Sequence, residues 1–423
     1  MTRTEATRSP SSTGVILIIP STSYRTAAFM EAAIKLDLKV MVITERTQVF
    51  EEVYPDSIIT LDFKNWTDHL PQIRAWTEDV ELKTVVGVDE ESVLIAAEIS
   101  SSLGIRHNSV DSVRKTRDKY LMRSSLEEAG LQSPWFHRFP IYGEASEMVE
   151  ALSFPCVLKP TFLSASRGVV RVDSKEEFFT GLNMLRSLLG RPEMEELGGE
   201  QVHWFLAESY IPGREYSLEG IVMNGKLKPL ALFDKPDPLE GPTFPETLYI
   251  TPSRLDQKRQ VELYEIAEKA LRALGISRGP VHVEARLGNN RFHLLECAAR
   301  SIGGLCSRVL EFTGGMSLEE LILRSSLGRD VESAHRLPDA RGVMMMPVQR
   351  SGVLRKIQGR DEALDVEGIT GIEMTASPGE MLETLPWDGK YPGFLFAEGK
   401  DQVAVEGILR QAWSRMELVI EAV

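Results

Sequence analysis

The stretch from Gly279 to Gly304, GPVHVEARLGNNRFHLLECAARSIGG, decides the fold predicted for this chain. Outward and inward positions alternate through Val281–Leu287, and a second extended run follows at Phe292–Glu296. A short Gly/Asn segment separates the two runs. Two extended runs around such a turn are typical of a β-hairpin. We therefore predict two antiparallel strands here.

Each strand of the predicted hairpin carries a glutamate. Side chains alternate across a strand, so every second residue lies on the same face. We therefore expect one face of the first strand to carry His282, Glu284 and Arg286, and one face of the second to carry Leu294, Glu296 and Ala298. With an odd number of loop residues, Glu284 and Glu296 would lie nearly opposite each other. Two carboxylates that close repel unless a cation lies between them, and hard oxygen ligands suit Mg²⁺. The alternative is an amphipathic hairpin whose acidic side chains are simply solvated.

Arg300, Gly303 and Gly304 follow the second strand. Arg300 brings a fixed positive charge to the predicted metal site. The two glycines bring backbone N–H groups that no side chain shields. The two glycines have two interpretations. They could leave the floor of a substrate pocket open to bulky groups, or they could serve only a tight turn with positive φ.

Composition limits the classes of partner. The 423 residues include 48 Lys and Arg against 62 Asp and Glu, a formal net charge of −14. A surface of that sign repels nucleic acid and anionic membranes, so we expect neither as a partner. No apolar run reaches membrane-spanning length, and the first residues lack the apolar core of a signal peptide. Three cysteines, an odd number, fit a reducing compartment. We expect a cytoplasmic protein, with Cys297 in the core.

The chain before residue 108 divides into a tail and an α/β unit. Residues 1–13 are predicted to be a disordered tail. Residues 14–107 alternate apolar strands such as Val15–Ile19 with helical stretches such as Tyr24–Leu36, which predicts a parallel sheet wrapped by helices. Neither G-x-G-x-x-G nor G-x-x-x-x-G-K-[ST] occurs where a phosphate site would need it. This unit therefore has no predicted dinucleotide or P-loop site.

Several later segments combine strands with small or charged residues. A long helix is predicted over 108–130, and it contains Thr116-Arg117-Asp118-Lys119. The apolar strand Phe154–Pro160 ends in a lysine and a proline. Small residues in Thr161–Val169 would let backbone N–H groups approach a phosphate. Each of these segments taken alone also suits exposed lysines and ordinary turns.

Two further segments complete the set. Ala207–Ser217 places a Pro-Gly bend between two strands, which exposes backbone groups that a ladder would otherwise pair. Asp234-Lys235-Pro236 and Phe244–Ser253 are predicted to lie in a long loop, and such loops in compact domains are usually functional or disordered. Residues 341–423 are predicted to form a separate, smaller α+β unit.

Together these motifs resemble the ATP-grasp carboxylate–amine ligases, in particular the L-amino acid ligase (dipeptide synthase) branch. The resemblance runs from about Lys115 to Gly328 and is weaker at both ends. It implies a multidomain α/β and α+β protein with the ATP-grasp fold. In this fold a Rossmann-like pre-grasp domain would cover 14–107, the ATP-grasp domain 108–330 with its lid at about 135–210, and a C-terminal α+β domain 341–423.

The resemblance also implies roles for residues that match the family motifs. The adenine amino group would be bound by Glu208, the adenine edge by the Ile211 backbone and the ribose by Glu215. The full set of implied ATP-binding residues is Lys119, Lys159, Ser166, Gly168, Glu208, Ile211 and Glu215. Mg²⁺, or Mn²⁺ in its place, would be bound by Glu284 and Glu296. Ala298 stands where the family often has a third, asparagine ligand.

The remaining implied residues act on the reacting groups. Lys235 would face the γ-phosphate, while Arg300 and the N–H groups near Gly303 would stabilise a developing oxyanion. The implied substrate contacts are Glu246, Tyr249, His282 and Gly304. Tyr249 stands where a histidine is frequent in the family. For His282, substrate orientation, proton relay and a purely structural role all stay open.

The implied activity is ATP-dependent ligation. A substrate carboxylate would attack the γ-phosphate of ATP to give an acylphosphate and ADP, and an amine would then displace phosphate to give a dipeptide or another amide. The expected partners are small molecules, and homodimer formation is left open. Two alternatives also stay open: an ATP-grasp carboxylase or purine-type ligase, and a nucleotide-binding regulatory protein without turnover.

Overall fold

The N-terminal unit is a parallel sheet flanked by helices, as its alternating pattern predicts. The computed structural model describes residues 13–46, 58–78 and 80–422, so the predicted tail lies outside the described residues except for Thr13. The elements of the unit are β1 (Thr13–Ile18), α1 (Thr26–Lys35), β2 (Lys39–Thr44), β3 (Ile58–Thr60), α2 (Leu70–Trp76), β4 (Glu81–Gly87) and α3 (Val93–Leu103). The strand order is β3-β2-β1-β4, all parallel.

A break at Asp118 divides the helix predicted over 108–130. The structure has α4 (Val110–Arg117) and α5 (Lys119–Glu128), so the prediction of one continuous helix is wrong. Asp118 is extended (φ −108°, ψ 112°), and its carboxylate accepts hydrogen bonds from the N–H groups of Tyr120 and Leu121. A side chain that caps the second helix competes with continuation of the first. The break places Lys119 at the start of a new helix.

The next unit is a four-stranded antiparallel sheet covered by helices. It contains β5 (Phe136–Pro140), α6 (Ala145–Glu150), β6 (Cys156–Pro160), β7 (Val170–Val172), α7 (Lys175–Leu189), α8 (Pro192–Gly198) and β8 (Trp204–Ser209). The strand order is β5-β8-β6-β7. Ser174 caps α7 by accepting from the Glu177 N–H, as its Ser-x-x-Glu pattern predicts. We call this unit the lid.

The largest sheet has eight strands and holds the hairpin at one edge. Its elements up to residue 330 are β9 (Arg214–Met223), β10 (Lys226–Lys235), β11 (Leu248–Thr251), α9 (Gln257–Ala273), β12 (Gly279–Gly288), β13 (Arg291–Ala298) and α10 (Leu318–Ser326). Lys235 is thus the last residue of β10, and Tyr249 lies within β11. The prediction that both lie in a long loop is wrong, because both pair in the sheet: Lys235 with Glu215 and Tyr249 with Val343.

The hairpin forms as predicted, but its turn has an even number of residues rather than the odd number that the facing of Glu284 and Glu296 was expected to require. Asn289 and Asn290 make a two-residue turn with φ values of 50° and 63°, and Glu284 pairs with Glu296 across the strands. However, a β-bulge follows this pair, so that Ala285 faces Leu294 rather than Leu295. An extra residue inverts the alternation beyond it. Leu294 therefore packs in the core, and the prediction that it shares the face of Glu296 is wrong.

The C-terminal residues divide between two sheets. Their elements are β14 (Ala340–Met345), β15 (Gly352–Gln358), α11 (Arg360–Leu364), β16 (Ile369–Met374), β17 (Met381–Leu382), β18 (Gly393–Gly399), α12 (Gln402–Ser414) and β19 (Glu417–Glu421). The central sheet runs β13-β12-β9-β10-β11-β14-β18-β16, so three C-terminal strands extend it, while β17-β15-β19 form a small sheet. The C-terminal part thus shares a sheet with the hairpin.

Apolar side chains cover both faces of the central sheet. One cluster, containing Leu263, Val283 and Cys297, packs α5 and α9 against the hairpin. Another joins residues of β1 and α1 to α10, β14 and β18. Cys297 is fully buried, and burial raises the pKa of its thiol to about 12, which agrees with the predicted core position. Among the described helices, none has the length and apolarity needed to cross a bilayer.

Candidate active site

A cavity of about 390 Å³ lies between the N-terminal unit, the lid and the central sheet. The carboxyl ends of β1 and β4, the loop after β6, the end of β8 and the hairpin all contribute to its walls. Fourteen of the sixteen residues predicted for the site line this cavity, and Lys235 and Gly168 are the two that do not. The tertiary structure therefore brings together segments separated by more than a hundred residues.

One end of the cavity holds a buried three-residue ion network. The Glu208 carboxylate accepts from Arg123 Nε at 2.9 Å and from the Lys159 ammonium. Arg123 is completely buried on α5, and it also donates to the carbonyls of Leu294 and Leu295 at 3.0 and 3.1 Å. These carbonyls lie at the bulge of the hairpin. Arg123 thus ties the lid strand β8 to the hairpin.

The charges in this network are unequal. Burial alone would raise the pKa of Glu208, but Arg123 and Lys159 together lower it to about 2. Burial and the neighbouring Arg123 lower the pKa of Lys159 to about 8, although Glu208 opposes the shift. One carboxylate shared by two cations leaves the second cation incompletely neutralised. Lys159 can therefore attract a further anionic group, such as a phosphate.

The Ile211 and Glu215 positions are held by a second buried arginine. Arg286 donates to the Ile211 carbonyl at 2.9 Å, to Glu215 at 2.8 Å and to the Leu239 carbonyl at 2.8 Å. The Ile211 carbonyl is therefore already engaged by the protein. To contact an adenine edge, the Ile211 backbone could use only the second lone pair of this carbonyl oxygen or the Ile211 N–H group.

The loop after β6 curls over the cavity in a constrained conformation. Ala165 and Ser166 have φ values of 54° and 55°, in the left-handed region that non-glycine residues rarely adopt. Gly168, with φ 74°, donates its N–H to the Pro386 carbonyl at 2.8 Å. That N–H is therefore not directed at a phosphate in this structure, in contrast to the predicted role. The Lys119 ammonium lies beneath the loop, 2.6 Å from the Leu163 carbonyl.

Three carboxylates converge on Lys235 at the centre of the site. Its ammonium donates to Glu215 at 2.7 Å, to Glu284 at 2.6 Å and to Glu246. Although burial lowers the pKa of Lys235, these three carboxylates raise it well above its usual value. Burial, Glu284 and Glu215 raise the pKa of Glu246 to about 7 against the opposing effect of Lys235. The cluster therefore carries more negative charge than its own cation neutralises.

His282 links the hairpin to a buried glutamate. Its Nδ1 contacts Glu219, and its Nε2 lies 3.3 Å from Glu284. Burial would lower the pKa of His282, but Glu219 and Glu284 raise it to about 10. Glu219 also accepts from the Ile302 N–H at 2.8 Å. The imidazole is therefore a cation with both nitrogens donating, which favours orientation of Glu284 over transfer of a proton.

Arg300 lies between two acids on different units. It donates to Glu90 at 2.6 Å and lies 3.8 Å from Glu296. Glu90 follows β4 in the N-terminal unit, so this ion pair connects that unit to the end of the hairpin. Glu296 also lies 3.6 Å from the Lys119 ammonium. Both cations reduce the repulsion between Glu296 and the acid cluster.

The two glycines after Arg300 differ. A Cβ placed on Gly303 would meet nothing within 4 Å, whereas one on Gly304 would lie 3.0 Å from the Phe394 ring. Gly304 also has φ 58°, which favours glycine. The prediction of an open pocket floor therefore fails at Gly304, where Phe394 fills the space. The other interpretation of this glycine, a turn with positive φ, agrees with the structure.

The donor set suits a divalent cation with oxygen ligands. Glu215, Glu246 and Glu284 each offer an oxygen within 4.8 Å of the others, and Glu296 is paired with Glu284 but lies outside this group. Carboxylate oxygens are the ligands that Mg²⁺ prefers. The raised pKa of Glu246 indicates uncompensated negative charge at the same place. The residues present therefore fit Mg²⁺, and the assignment of its ligands stays a prediction.

Residues 152–309 match the family model of the ATP-grasp domain. The chain contains an ATP-grasp domain. Residues 344–421 match the L-amino acid ligase C-terminal domain 2. The ATP-grasp domain therefore includes β6 to β13 and every predicted site residue except Lys119. Its hairpin is the feature from which the sequence argument began.

The chain is also similar in sequence to ligases and synthases of known name. The chain is 30% identical over 311 residues to alanine–anticapsin ligase of Bacillus subtilis, an alignment that covers 68% of this chain and 62% of that protein. It is 30% identical over 159 residues to carnosine synthase 1 of Gallus gallus, covering 37% of this chain and 17% of that protein. The chain thus spans about three fifths of the first of these relatives.

Among solved structures, L-amino acid ligase from Bacillus licheniformis superposes with a TM-score of 0.83 at 24% identity, covering 98% of this chain and all of that chain. N5-carboxyaminoimidazole ribonucleotide synthetase from Thermotoga maritima superposes with a TM-score of 0.69 at 15% identity, covering 97% and 100%. These likenesses establish the ATP-grasp fold along the chain.

Charged residues of the site that were not predicted from the sequence include the buried Arg123, Glu219 and Arg286 and the partly buried Glu90. A signal existed for two of them. Glu219 interrupts the apolar run Leu218–Val222, and charged residues within such runs are rarely buried without a partner. Arg286 shares a strand face with Glu284. By contrast, nothing in the local pattern distinguishes Arg123 from the other basic residues between 108 and 130.

Proposed function

We propose that this protein is an ATP-dependent ligase that joins the carboxylate of an amino acid to an amine through an acylphosphate. The products would be a dipeptide or another amide, ADP and phosphate. The observation that carries the proposal is that one cavity contains both kinds of group. The incompletely neutralised Lys159 lies at one end, and the Glu215–Glu246–Glu284 acid cluster surrounds Lys235 at the centre. The alanine–anticapsin ligase match, which covers most of this chain, supports this chemistry.

The residues of the nucleotide end would neutralise and position ATP. Phosphoryl transfer requires mainly alignment of the reacting groups and charge stabilisation. Lys159 and Lys119 would balance phosphate charge, and Glu208 and the Ile211 backbone would contact adenine. Ser166, at the tip of the loop after β6, would offer a hydroxyl to a phosphate. Closure of the lid would exclude water from the acylphosphate.

Mg²⁺, when bound, would neutralise phosphate oxygens and favour attack by the carboxylate. Glu284 and Glu296 are the proposed ligands, and Glu215 and Glu246 each offer an oxygen within 4.8 Å of a Glu284 oxygen. Lys235, which contacts Glu215, Glu246 and Glu284, would face the γ-phosphate. His282, held by Glu219, would keep the Glu284 carboxylate in one orientation.

The amine would attack the acylphosphate beside Arg300. A tetrahedral oxyanion forms in that step, and a fixed guanidinium with nearby N–H groups stabilises it. Glu90 holds Arg300 in place at 2.6 Å. Glu246 and Tyr249 would contact the amino-acid substrate. The pKa of Glu246, raised to about 7 by burial and neighbouring acids, would suit it to accept a proton from the attacking ammonium.

The test is release of ADP and phosphate with a panel of amino acids, singly and in pairs, with mass spectrometry of the products. Ligation predicts ADP release that requires Mg²⁺ and amino acids, together with a product heavier than either substrate. Bicarbonate dependence would indicate a carboxylase, and ATP binding without turnover would indicate a regulatory protein. Either result would contradict the proposal. A cytoplasmic location and the state of assembly stay predictions.

A further inference from the structure

The segment between β17 and β18 connects the C-terminal part to the lid. It covers residues 383–391, ETLPWDGKY, and forms neither a helix nor a strand. We call this segment the strap. Gly389, Lys390 and Tyr391 line the cavity, and the preceding residues lie against the lid. No strap residue belongs to the proposed ATP-binding or catalytic set, although the strap lies beside both.

An ion pair and an aromatic ring attach the outer end of the strap to the lid. Arg191, the residue before α8, donates from its two terminal nitrogens to the Glu383 carboxylate at 2.8 and 2.9 Å. The same guanidinium lies 5.0 Å from the centre of the Trp387 ring, and Trp387 packs against the apolar cluster of the lid. A planar guanidinium that binds a carboxylate through two hydrogen bonds and lies over a ring has a fixed orientation. These contacts therefore fix the strap on the lid surface.

Two close backbone contacts join the middle of the strap to the loop after β6. The Gly168 N–H donates to the Pro386 carbonyl at 2.8 Å. A Cβ placed on Gly389 would lie 2.6 Å from the Ala165 carbonyl oxygen and 2.8 Å from the Ala165 Cβ. Both distances are shorter than van der Waals contact, so any side chain at position 389 would displace the loop or the strap. The glycine thus allows the two segments to touch through their backbones.

The loop after β6 needs outside contacts to keep its conformation. Ala165 and Ser166 both have positive φ, and non-glycine residues stay in that region only where the surrounding structure holds them. Ser164, Ser166 and Arg167 line the cavity, whereas Gly168, whose N–H the strap binds, does not. The strap therefore holds one part of the loop while another part presents polar side chains to the cavity.

The far end of the strap is anchored in the central sheet. Tyr391 packs on the buried Phe394 ring of β18, with centroids 6.2 Å apart. Burial and the nearby Glu246 carboxylate raise the pKa of the Tyr391 hydroxyl well above its usual value, so this hydroxyl stays neutral beside the acid cluster. The strap thus runs from the sheet that carries the acid cluster to the loop that faces a nucleotide phosphate. A connection held at both ends limits how far the loop and the cluster can separate.

We propose that the strap is a positioning element that holds the loop after β6 in the conformation that binds the phosphates of ATP. This inference rests on the proposed ligase function. Pro386 and Gly389 position the loop, and the outer attachment keeps the strap against the lid. Ser166 in the loop then meets a phosphate, whereas the adenine contacts lie elsewhere and do not depend on the strap. A strap that only stabilised the lid would change the melting temperature and leave the preference for phosphates as it is.

The first test replaces Gly389 by alanine, with Gly407→Ala as the matched control. The φ of Gly389 lies outside the left-handed region, so Gly389→Ala acts through the clash with Ala165 rather than through backbone strain. A Cβ on Gly407, in α12, would meet nothing within 4 Å. Calorimetric titration with a non-hydrolysable ATP analogue and Mg²⁺ should give a Kd about tenfold higher in Gly389→Ala, the effect of losing one hydrogen bond to a charged group. The Kd for AMP, which lacks the outer phosphates, should not change, and Gly407→Ala should match the wild type for both ligands.

A second variant makes the test independent of that clash. Glu383→Gln removes the ion pair on the lid surface, and Glu421→Gln, which loses an exposed ion pair with Arg355, is its control. Glu383→Gln should raise the Kd for the ATP analogue about two- to fivefold, the range of a partly exposed ion pair. In the free protein, hydrogen exchange over residues 161–169 should quicken in both strap variants and in neither control. If Gly389→Ala does not fold, Glu383→Gln decides by the same measurements.

These measurements separate the strap from the ligase function. Unchanged affinity for the ATP analogue together with unchanged exchange in the strap variants would overturn the strap as a positioning element, and so would equal losses of affinity for the ATP analogue and for AMP. Absence of ADP release by the wild type with every amino acid would overturn the proposed ligase function, while the ratio of the two affinities would still decide the role of the strap.

Discussion

Replacement of Arg123 by methionine should destabilise the protein more than replacement of any exposed arginine. Arg123 is completely buried and makes four hydrogen bonds, two to the Glu208 carboxylate and two to the carbonyls of Leu294 and Leu295. Methionine keeps the aliphatic part of the side chain, so the change mainly removes the guanidinium. Lys159 would remain as the cation contacting Glu208.

The size of the effect follows from these contacts. Removal of one partner of a buried ion pair typically costs about 3–5 kcal/mol. Each buried carbonyl left without a donor adds about 1–3 kcal/mol, although water entering the space would recover part of it. We expect a net loss of about 3–5 kcal/mol. For a protein of this size that loss corresponds to a fall in melting temperature of about 3–6 °C.

The assay is thermal unfolding together with hydrogen exchange. Arg114→Met is the control, because Arg114 is exposed on α4 and surface changes usually stay within about 0.5 kcal/mol. Exchange should quicken in β8 and β13, the two strands that Arg123 joins, and should stay unchanged in β1 and β4. The reasoning is refuted if Arg123→Met lowers the melting temperature no more than Arg114→Met, or if exchange in β8 and β13 is unaffected.

Three further predictions concern single residues of the site. Glu296→Gln should abolish ADP release and leave the melting temperature near that of the wild type; Mg²⁺-dependent release at the wild-type rate would remove Glu296 from the metal site. The wild type should have a larger free energy of unfolding than Glu208→Gln above pH about 4.5, and this difference should be lost toward pH 2. The reason is that the pKa of Glu208 is lowered to about 2 in the folded state, so its ionised form stabilises the fold, by roughly 3 kcal/mol. A constant difference in melting temperature between pH 6 and pH 3 would contradict this prediction. Gly303→Leu should keep the melting temperature and narrow the substrate range, whereas Gly304→Leu should lower the melting temperature by clashing with Phe394; equal effects of the two would argue against the different surroundings of these glycines.

Local patterns were sufficient for much of the fold. Alternation and the Asn-Asn turn predicted the hairpin, but the two-residue turn alone would place Glu284 opposite Leu295, and the β-bulge is what pairs Glu284 with Glu296. Strand–helix alternation predicted the N-terminal parallel sheet. The family motifs also selected residues that gather around one cavity, although the roles assigned to them stay predictions.

The sequence failed where a competing interaction changed a local pattern. Asp118 ended one helix because its side chain caps the next helix. The bulge before Glu296 inverted the alternation of side chains, so Leu294 faces the core. Lys235 and Tyr249 were expected in a loop, but long-range pairing drew them into strands. The positions of Lys235 and Tyr249 depended on pairing with residues outside the local window, whereas the Asp118 cap is local and a continuous helix competed with it.

The sequence by itself determined which residue types could bind phosphate and metal, since lysines, glutamates and small residues recur in the ATP-grasp spacing. Only the tertiary structure decided their charges and partners. Glu208 is neutralised by Arg123 from α5, Arg300 by Glu90 from the N-terminal unit, and Glu284 by Lys235 from β10. Electrostatic energy depends on distance and burial, and neither is fixed until distant segments pack together.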